Sequence, residues 1–111
     1  MKKINILKEN RDFSRIVKNN KPFKYKGYVV YLELKKEEYY KFGISVSKKI
    51  ANAVGRNKIK RQVREIISKN IYEKNFNCII IIRRSYLENN FEQNKEDLLF
   101  ILKKLKLIKE N

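Results

Sequence analysis

The feature that most constrains the fold is an unbroken apolar run at residues 78–82, Cys-Ile-Ile-Ile-Ile. The isoleucines are β-branched, and a bounded run of this length is typical of a strand rather than a helix. Because polar residues do not alternate with apolar ones, the run predicts a central strand that is covered on both faces. We therefore expect a small sheet with this strand in its interior.

Periodicity predicts the elements around this strand. In chain order they are a helix that starts near Asn10 and ends before Pro22, strands at 25–34 and 41–47, a basic helix at 54–70, the apolar strand and a helix at 90–107. Asn52 is a possible cap of the basic helix, and Asn90 and Gln93 have the spacing of a capping box at the start of the last helix. The charged residues 35–38 predict a hairpin turn between the first two strands. The order α-β-β-α-β-α predicts an α+β fold, a small sandwich of helices on a central sheet, in a single domain of residues 1–111.

The first two predicted strands each have one apolar face. The apolar positions are Tyr28, Val30, Leu32 and Leu34 in the first strand and Phe42, Ile44 and Val46 in the second. Tyr31, Ser45 and Ser47 fall on the opposite face. An aromatic ring on an open sheet face can stack on a base, and serine hydroxyls can bind phosphate or 2′-hydroxyl groups.

Composition limits the possible functions. The chain has 28 Lys+Arg against 12 Asp+Glu and a formal net charge of +16, which favours a polyanionic partner such as nucleic acid. With no histidine and only one cysteine, Cys/His zinc sites and Ser-His-Asp or Cys-His catalytic centres are excluded. The chain lacks a long apolar stretch and a signal-peptide pattern, so the expected location is the cytoplasm.

The basic helix carries its charge on one face. At about 100° per residue, Ile59, Val63, Ile66 and Ile67 share an apolar face. The cations and an amide lie on roughly the opposite face, which comprises Asn57, Lys60, Arg61 and Arg64, with Arg56 at the helix start. Guanidinium groups bind phosphates in a bidentate geometry, so this face is predicted to bind a polyanion.

Residues alone leave more than one binding protein possible. A ribosomal or ribosome-assembly protein and a helix-turn-helix DNA-binding protein that uses residues 54–70 for recognition remain alternatives. The predicted strands argue against the second. The lysines of residues 98–108 resemble those of a membrane-surface helix, but a helix that covers the sheet is favoured. Since the acidic residues form no paired-carboxylate or metal-ligand pattern, we predict no catalytic residue and no protein-held metal.

Residues 42–65 join a Gly-Ile-Ser-Val-Ser-Lys-Lys strand to an Arg-Asn-x-x-Lys-Arg-x-x-Arg helix that begins at Arg56. This segment closely resembles the bacterial RNase P protein subunit family. The rest of the chain also has the family's features in the family's order. They are an early Asp12-Phe13 pair, an aromatic strand from Tyr28 to Tyr31, a late isoleucine-rich strand and a C-terminal amphipathic helix. The resemblance therefore covers nearly the whole chain.

The resemblance implies a ribonucleoprotein endonuclease that removes the 5′ leader from precursor tRNA. The RNA subunit would hold the catalytic metal ions, so Mg²⁺ is expected in the holoenzyme and no cofactor on protein side chains alone. The expected partners are the RNase P RNA and precursor tRNA, without a DNA or membrane partner. The implied fold is that of ribosomal protein S5 domain 2, with a left-handed βαβ crossover, contrary to the usual hand.

The resemblance also implies roles for individual residues. Docking on the RNA subunit is expected from Arg56, Asn57, Lys60, Arg61 and Arg64. The cleft for the single-stranded leader would contain Phe13 and Tyr31, with Ser45 and Ser47 on the same predicted surface and Lys48 and Lys49 as candidates for phosphate contact. Phe13 could equally pack in the core, and the two lysines could be merely solvated. Val17 stands where some relatives have a second cleft aromatic, and Asn20 and Ala51 stand where glycine is frequent.

Overall fold

The computed structural model describes residues 5–7, 10–35 and 39–108 of the chain. Its helices are α1 (Asn10–Asn19), α2 (Ala53–Ser68) and α3 (Phe91–Lys104), with a short 3₁₀ helix at Arg84–Glu88. Its strands are β1 (Phe23–Tyr25), β2 (Tyr28–Leu34), β3 (Lys41–Ser45) and β4 (Phe76–Ile82). The predicted α+β class is confirmed, with helices packed on a central sheet.

The apolar run forms most of β4, which is an interior strand of the sheet. The spatial order is β1-β2-β4-β3, with β4 antiparallel to β2 and parallel to β3. Neighbouring residues of a strand point to opposite faces, yet Ile79 and Ile80 are both 0% exposed. The predicted central strand, covered on both faces, is confirmed.

Different helices cover the two faces of the sheet. On one face α2 and α3 enclose the larger core, which includes Tyr28, Phe76 and Ile80. On the other face α1 packs Ile16 against Ile79. Because α1 has 10 residues, it is only about 15 Å long and covers part of that face. The second face therefore has a part beneath α1 and a more open part beside it.

The sheet differs from the sequence prediction in its connections. The strand predicted at 25–34 is two strands, because the chain turns at Lys26 and Gly27. The positive φ of 51° falls on Lys26 and not on Gly27, so the turn lacks the usual Asn-Gly sequence or a glycine in first place. The predicted hairpin is wrong because β4 lies between β2 and β3; its residues 36–38 lie outside the described residues. Leu34, predicted to face the core, is 62% exposed.

The long helices begin where side-chain caps predict. Asn52 precedes α2, and its side-chain oxygen accepts a hydrogen bond from the N–H of Gly55 at 2.9 Å. Asn90 precedes α3 and accepts a hydrogen bond from the N–H of Gln93, also at 2.9 Å. Each cap satisfies a backbone donor that the first helical turn cannot pair. Both predicted N-terminal ends are confirmed.

α2 is the crossover connection between β3 and β4. These strands run parallel, so the chain must return along the sheet between them, and α2 makes that return on the face of the larger core. The left hand of this crossover stays a prediction, as does the extent of one domain over residues 1–111.

An ion pair joins α1 to the sheet. Arg15 of α1 donates a hydrogen bond to Glu33 of β2 and also lies 3.6 Å from the carboxylate of Asp12. Asn77 of β4 donates to the other Glu33 oxygen at 2.9 Å. The Arg15 hydrogen bond, with that of Asn77, holds the pKa of Glu33 below its ordinary range, although partial burial opposes the shift. Glu33 therefore links α1, β2 and β4.

Replacing Glu33 with Gln should weaken this link in a pH-dependent way. A carboxyl with a lowered folded-state pKa contributes stability above its unfolded value, about 4.3, and loses it as the pH falls through the folded value. We expect Glu33→Gln to lower the melting temperature by a few degrees at about pH 7, by an amount that shrinks as the pH falls below about 4. Thermal melts across this range measure the difference. The exposed Glu88→Gln variant is the control, and a Glu33→Gln deficit that is constant with pH would contradict the assignment.

Candidate nucleic-acid interface

α2 presents its cations away from the core. Ile59 and Val63 are buried, whereas Arg61 and Arg64 are exposed and Lys60 is half-buried. The first turn of α2 contains no acidic residue. Within the described part of the chain, Lys60, Arg61 and Arg64 form no ion pair with a carboxylate. The positive charge of this face is therefore available to an external polyanion.

Asn57 and Arg56 stand at the start of this face, with different surroundings. Asn57 is exposed, so its amide is available to a partner. Arg56 is half-buried, and its Nη1 donates to the carbonyl oxygen of Ala51 at 3.0 Å. Since a guanidinium has five N–H donors, this bond leaves others for a phosphate. Arg56 therefore braces the chain that enters α2 and still carries a charge.

The open part of the sheet beside α1 is a row of half-buried residues on three strands. Ser45 of β3 and Val29 of β2 both pair with Ile81 of β4, so the three lie side by side. With neighbouring strands about 4.8 Å apart, this row is about 10 Å wide. Such a strip, with one hydroxyl group beside apolar side chains, is wide enough for one strand of nucleic acid.

The next row along the same face lies against α1. Ile79 is at its centre, paired with Tyr31 on β2 and Gly43 on β3. Phe13 and Tyr31 both pack against the small core formed with Ile16 and Ile79, but both remain half-buried. Phe13 is therefore both a core and a surface residue, because one part of its ring packs against the small core and the rest remains accessible.

A cleft of about 530 Å³ at the β3 edge brings two of the predicted surfaces together. It is lined by Phe13 from α1, Ser45 from β3 and Lys60 and Arg64 from α2, with apolar residues between them. Lys60 and Arg64 are one helical turn apart and share one ridge of α2. Tyr31 is not among the residues that line the cleft. It lies on β2, beside Ile79 and on the opposite side of β4 from the cleft, where it borders the open row.

The connector after β3 places the remaining predicted residues at one end of the sheet. Ser47, Lys48 and Lys49 are exposed. The hydroxyl oxygen of Ser47 accepts a hydrogen bond from the N–H of Lys49 at 3.1 Å, which is a local turn interaction. Ser47 is therefore partly engaged by its own chain, unlike the half-buried Ser45 that lines the cleft.

Sequence reasoning missed two arginines at this same end. Arg83 follows β4 in an extended conformation, so its side chain continues the face of Ile79 and Ile81. Arg84 Nη2 donates to the carbonyl oxygen of Lys49 at 2.9 Å. The available signal was the pair of arginines directly after an apolar strand, since parallel strands β3 and β4 end at the same edge.

The described residues differ from a metal centre and from a thiol active site in two respects. Among them, no group of three or more His, Cys, Asp or Glu residues could hold a metal ion. The buried Cys78 has a strongly raised pKa because burial disfavours the thiolate, so it is a poor nucleophile. No helix of the described ranges has the length and apolar character needed to span a bilayer.

Comparison with protein families and curated relatives gives consistent matches. The family model for Ribonuclease P matches residues 1–106 of this chain. The ribonuclease P protein component of Mycoplasma capricolum subsp. capricolum is 39% identical over 109 residues, which cover 96% of this chain and 100% of that protein. The corresponding protein of Bacillus velezensis is 37% identical, with coverage of 100% of this chain and 97% of the relative.

Solved structures match in fold as well as in sequence. The Staphylococcus aureus RNase P protein gives a TM-score of 0.84 at 35% identity, covering 95% of this chain and 98% of that one. The RNase P protein from Thermotoga maritima gives a TM-score of 0.79 at 34% identity, with coverage of 88% and 94%. The chain is thus similar to RNase P proteins over nearly its full length.

Proposed function

This chain belongs to the bacterial ribonuclease P protein component family, and from that premise we propose that it binds the catalytic RNA and the 5′ leader of precursor tRNA together. Family membership makes it a component of RNase P, an endoribonuclease, and implies association with the RNase P RNA. The proposed outcome is endonucleolytic removal of the leader, which leaves the mature 5′ end of the tRNA.

The cleft at the β3 edge is the observation that carries the proposal. In it, Lys60 and Arg64 of the basic helix lie across from Phe13 and Ser45 of the open sheet face. A strand of RNA on the open face would therefore end next to the cations of α2. This arrangement suits a protein that holds a substrate strand beside a second RNA.

The two surfaces suit different RNA structures. The exposed face of Asn57, Arg61 and Arg64 is convex and cationic, which suits phosphates of a folded RNA whose shape is fixed. The open row and its aromatic borders at Phe13 and Tyr31 suit a single strand, because only unpaired bases can stack on rings. We assign the first surface to the RNA subunit and the second to the leader.

The same chemistry leaves strand cleavage to the RNA. The chain contains no histidine, and its described carboxylates form no clusters that would bind metal. Divalent metal held by the RNA would supply the activated water for phosphodiester hydrolysis. The role of the protein is to fix the leader and to neutralise phosphate repulsion between two RNA molecules.

Reconstitution tests this function directly. The purified chain is combined with a bacterial RNase P RNA at low magnesium, and cleavage of a precursor tRNA with a long 5′ leader is followed. We expect the protein to stimulate cleavage more for the long leader than for a leader of one nucleotide. A protein that binds ribosomal RNA but leaves cleavage unchanged would instead support the ribosome-assembly alternative.

Arg64→Ala should weaken binding to the RNA subunit and reduce its salt dependence. Removal of one phosphate contact is expected to lower affinity several-fold and to flatten the log–log salt slope by about one counterion. Arg61→Ala should behave in the same way. Lys58→Ala is the matched control, because it removes one charge from the side of α2 that faces the 3₁₀ helix and α3. Equal changes in slope for Lys58→Ala and Arg64→Ala would contradict a specific binding face.

Tyr31→Ala should reduce the affinity that the leader adds. Loss of one stacking platform costs about 1–3 kcal/mol per base, so the long-leader substrate should bind about 5- to 150-fold more weakly. Tyr31→Phe keeps the ring and should retain most of the affinity. Titrations with long-leader and one-nucleotide-leader substrates measure the difference, and equal losses on the two substrates would exclude a leader contact at Tyr31.

A further inference from the structure

Gly43 is a buried strand residue whose missing side chain is occupied by a ring from another element. A Cβ built on Gly43 would lie 2.3 Å from Cζ of Phe13, 2.7 Å from Cε1 and 3.2 Å from Cε2. These are its three nearest atoms, and all belong to the outer end of the Phe13 ring. The ring of α1 therefore rests in the space that a side chain of β3 would take.

Backbone geometry does not account for a glycine at this position. No glycine of the described residues has a positive φ, so the conformation of Gly43 suits any amino acid. Gly43 also pairs regularly with Ile79 of β4, in the interior of a strand where glycine is disfavoured. The space requirement of the Phe13 ring is the remaining physical reason for a glycine.

We propose that Gly43 is a positioning residue for leader binding, because its lack of a side chain sets the height of the Phe13 ring above the sheet. This inference rests on the proposed role of Phe13 and Ser45 in holding the leader. Ser45 lies on the same face of β3, two residues beyond Gly43, at a distance of about 6.8 Å along the strand. A base on the ring therefore lies above Ser45 only while the ring stays close to the sheet.

A methyl group at residue 43 would move the ring rather than the helix. Carbon atoms in contact lie about 3.5–4.0 Å apart, so Cζ would have to retreat by more than about 1 Å. Ile16 packed against Ile79 and the Arg15–Glu33 ion pair hold the backbone of α1 in place. The ring can rotate about its side-chain bonds, and the open direction is off the sheet and into the cleft.

Gly27 provides a contrast that defines what is special about Gly43. The nearest atoms to a Cβ on Gly27 are Cα, Cβ and N of Tyr86, the closest at 2.9 Å. Backbone atoms of a packed segment cannot yield, so a side chain at Gly27 would disturb the fold itself. At Gly43 the obstacle is the end of a rotatable side chain that also lines the proposed binding cleft.

A double-mutant cycle between residues 43 and 13 tests the proposal. Holoenzymes are reconstituted with wild-type protein, Gly43→Ala, Phe13→Leu and the double variant. The leader contribution is the ratio of dissociation constants for substrates with one-nucleotide and long leaders. We expect Gly43→Ala to lower this ratio about tenfold, as for one stacked base, but to change it less than about twofold in the Phe13→Leu background. Leucine lacks the Cε and Cζ atoms that the new methyl group would meet.

A second test enlarges the Phe13 ring and leaves Gly43 unchanged. Phe13→Tyr adds a hydroxyl at Cζ, the ring atom nearest to the position that a Cβ of residue 43 would take, so the ring keeps its stacking surface but must also rise. We expect Phe13→Tyr to reproduce the loss of leader contribution seen with Gly43→Ala. A tyrosine variant with undiminished leader contribution would overturn the proposal, as would a Gly43→Ala effect of the same size with and without the Phe13 ring.

Stability measurements separate this proposal from the proposed function. Gly43→Ala should lower the melting temperature of wild-type protein but not that of Phe13→Leu, whatever RNA the protein binds. If Gly43→Ala fails to fold, recovery of folding in the double variant supports the contact, and failure of both variants overturns it. If the stability cycle shows coupling but wild-type protein shows no leader contribution, the leader-binding function is wrong and the positioning role with it.

Discussion

The burial of β4 on both faces is the constraint on which the rest of the structure depends. Ile80 anchors the core beneath α2 and α3, while Ile79 anchors α1 on the opposite face. Truncating such a fully buried isoleucine to alanine typically costs about 2–5 kcal/mol, because the surrounding structure relaxes only partially into the cavity. Since β4 also pairs with β2 and β3, it fixes the distance between the aromatic border of the open face and the cations of α2. The relative position of the two proposed RNA-binding surfaces therefore depends on β4.

Much of this could be predicted from the sequence because the signals are local and strong. The isoleucine run predicted β4, asparagines predicted the caps of α2 and α3, and helical periodicity separated the buried Ile59 and Val63 from the exposed Arg61 and Arg64. The candidate RNA-docking residues follow from the same periodicity, since a helix face is decided by residues within a few turns. Their roles rest on family resemblance and on the proposals above.

Other features could not be predicted because they depend on contacts distant in sequence. The insertion of β4 between β2 and β3 is decided by the sheet as a whole, and no turn signal reveals it. Lys26 adopts a positive φ without the residue that normally marks such a turn. The dual environment of Phe13 and the meeting of Arg84 with Lys49 likewise appear only when separate elements are packed together. A reading of one residue at a time assigns each side chain to core or surface, whereas Phe13 belongs to both.

The late position of β4 in the chain has a consequence for the order of events during synthesis. Until residues 76–82 leave the ribosome, β2 and β3 each have an unpaired edge, and α1 lacks the isoleucine on which it packs. Pairing β4 with β2 and β3 orders the chain segments between these strands, and this costs loop-closure entropy. The sheet is therefore expected to assemble late and cooperatively. The open face therefore comes into existence only with the completed sheet, although the basic helix has already been made. A nascent or truncated chain can attract RNA by the charge of its basic helix. It lacks the open sheet face that is proposed to distinguish a single-stranded leader from other RNA.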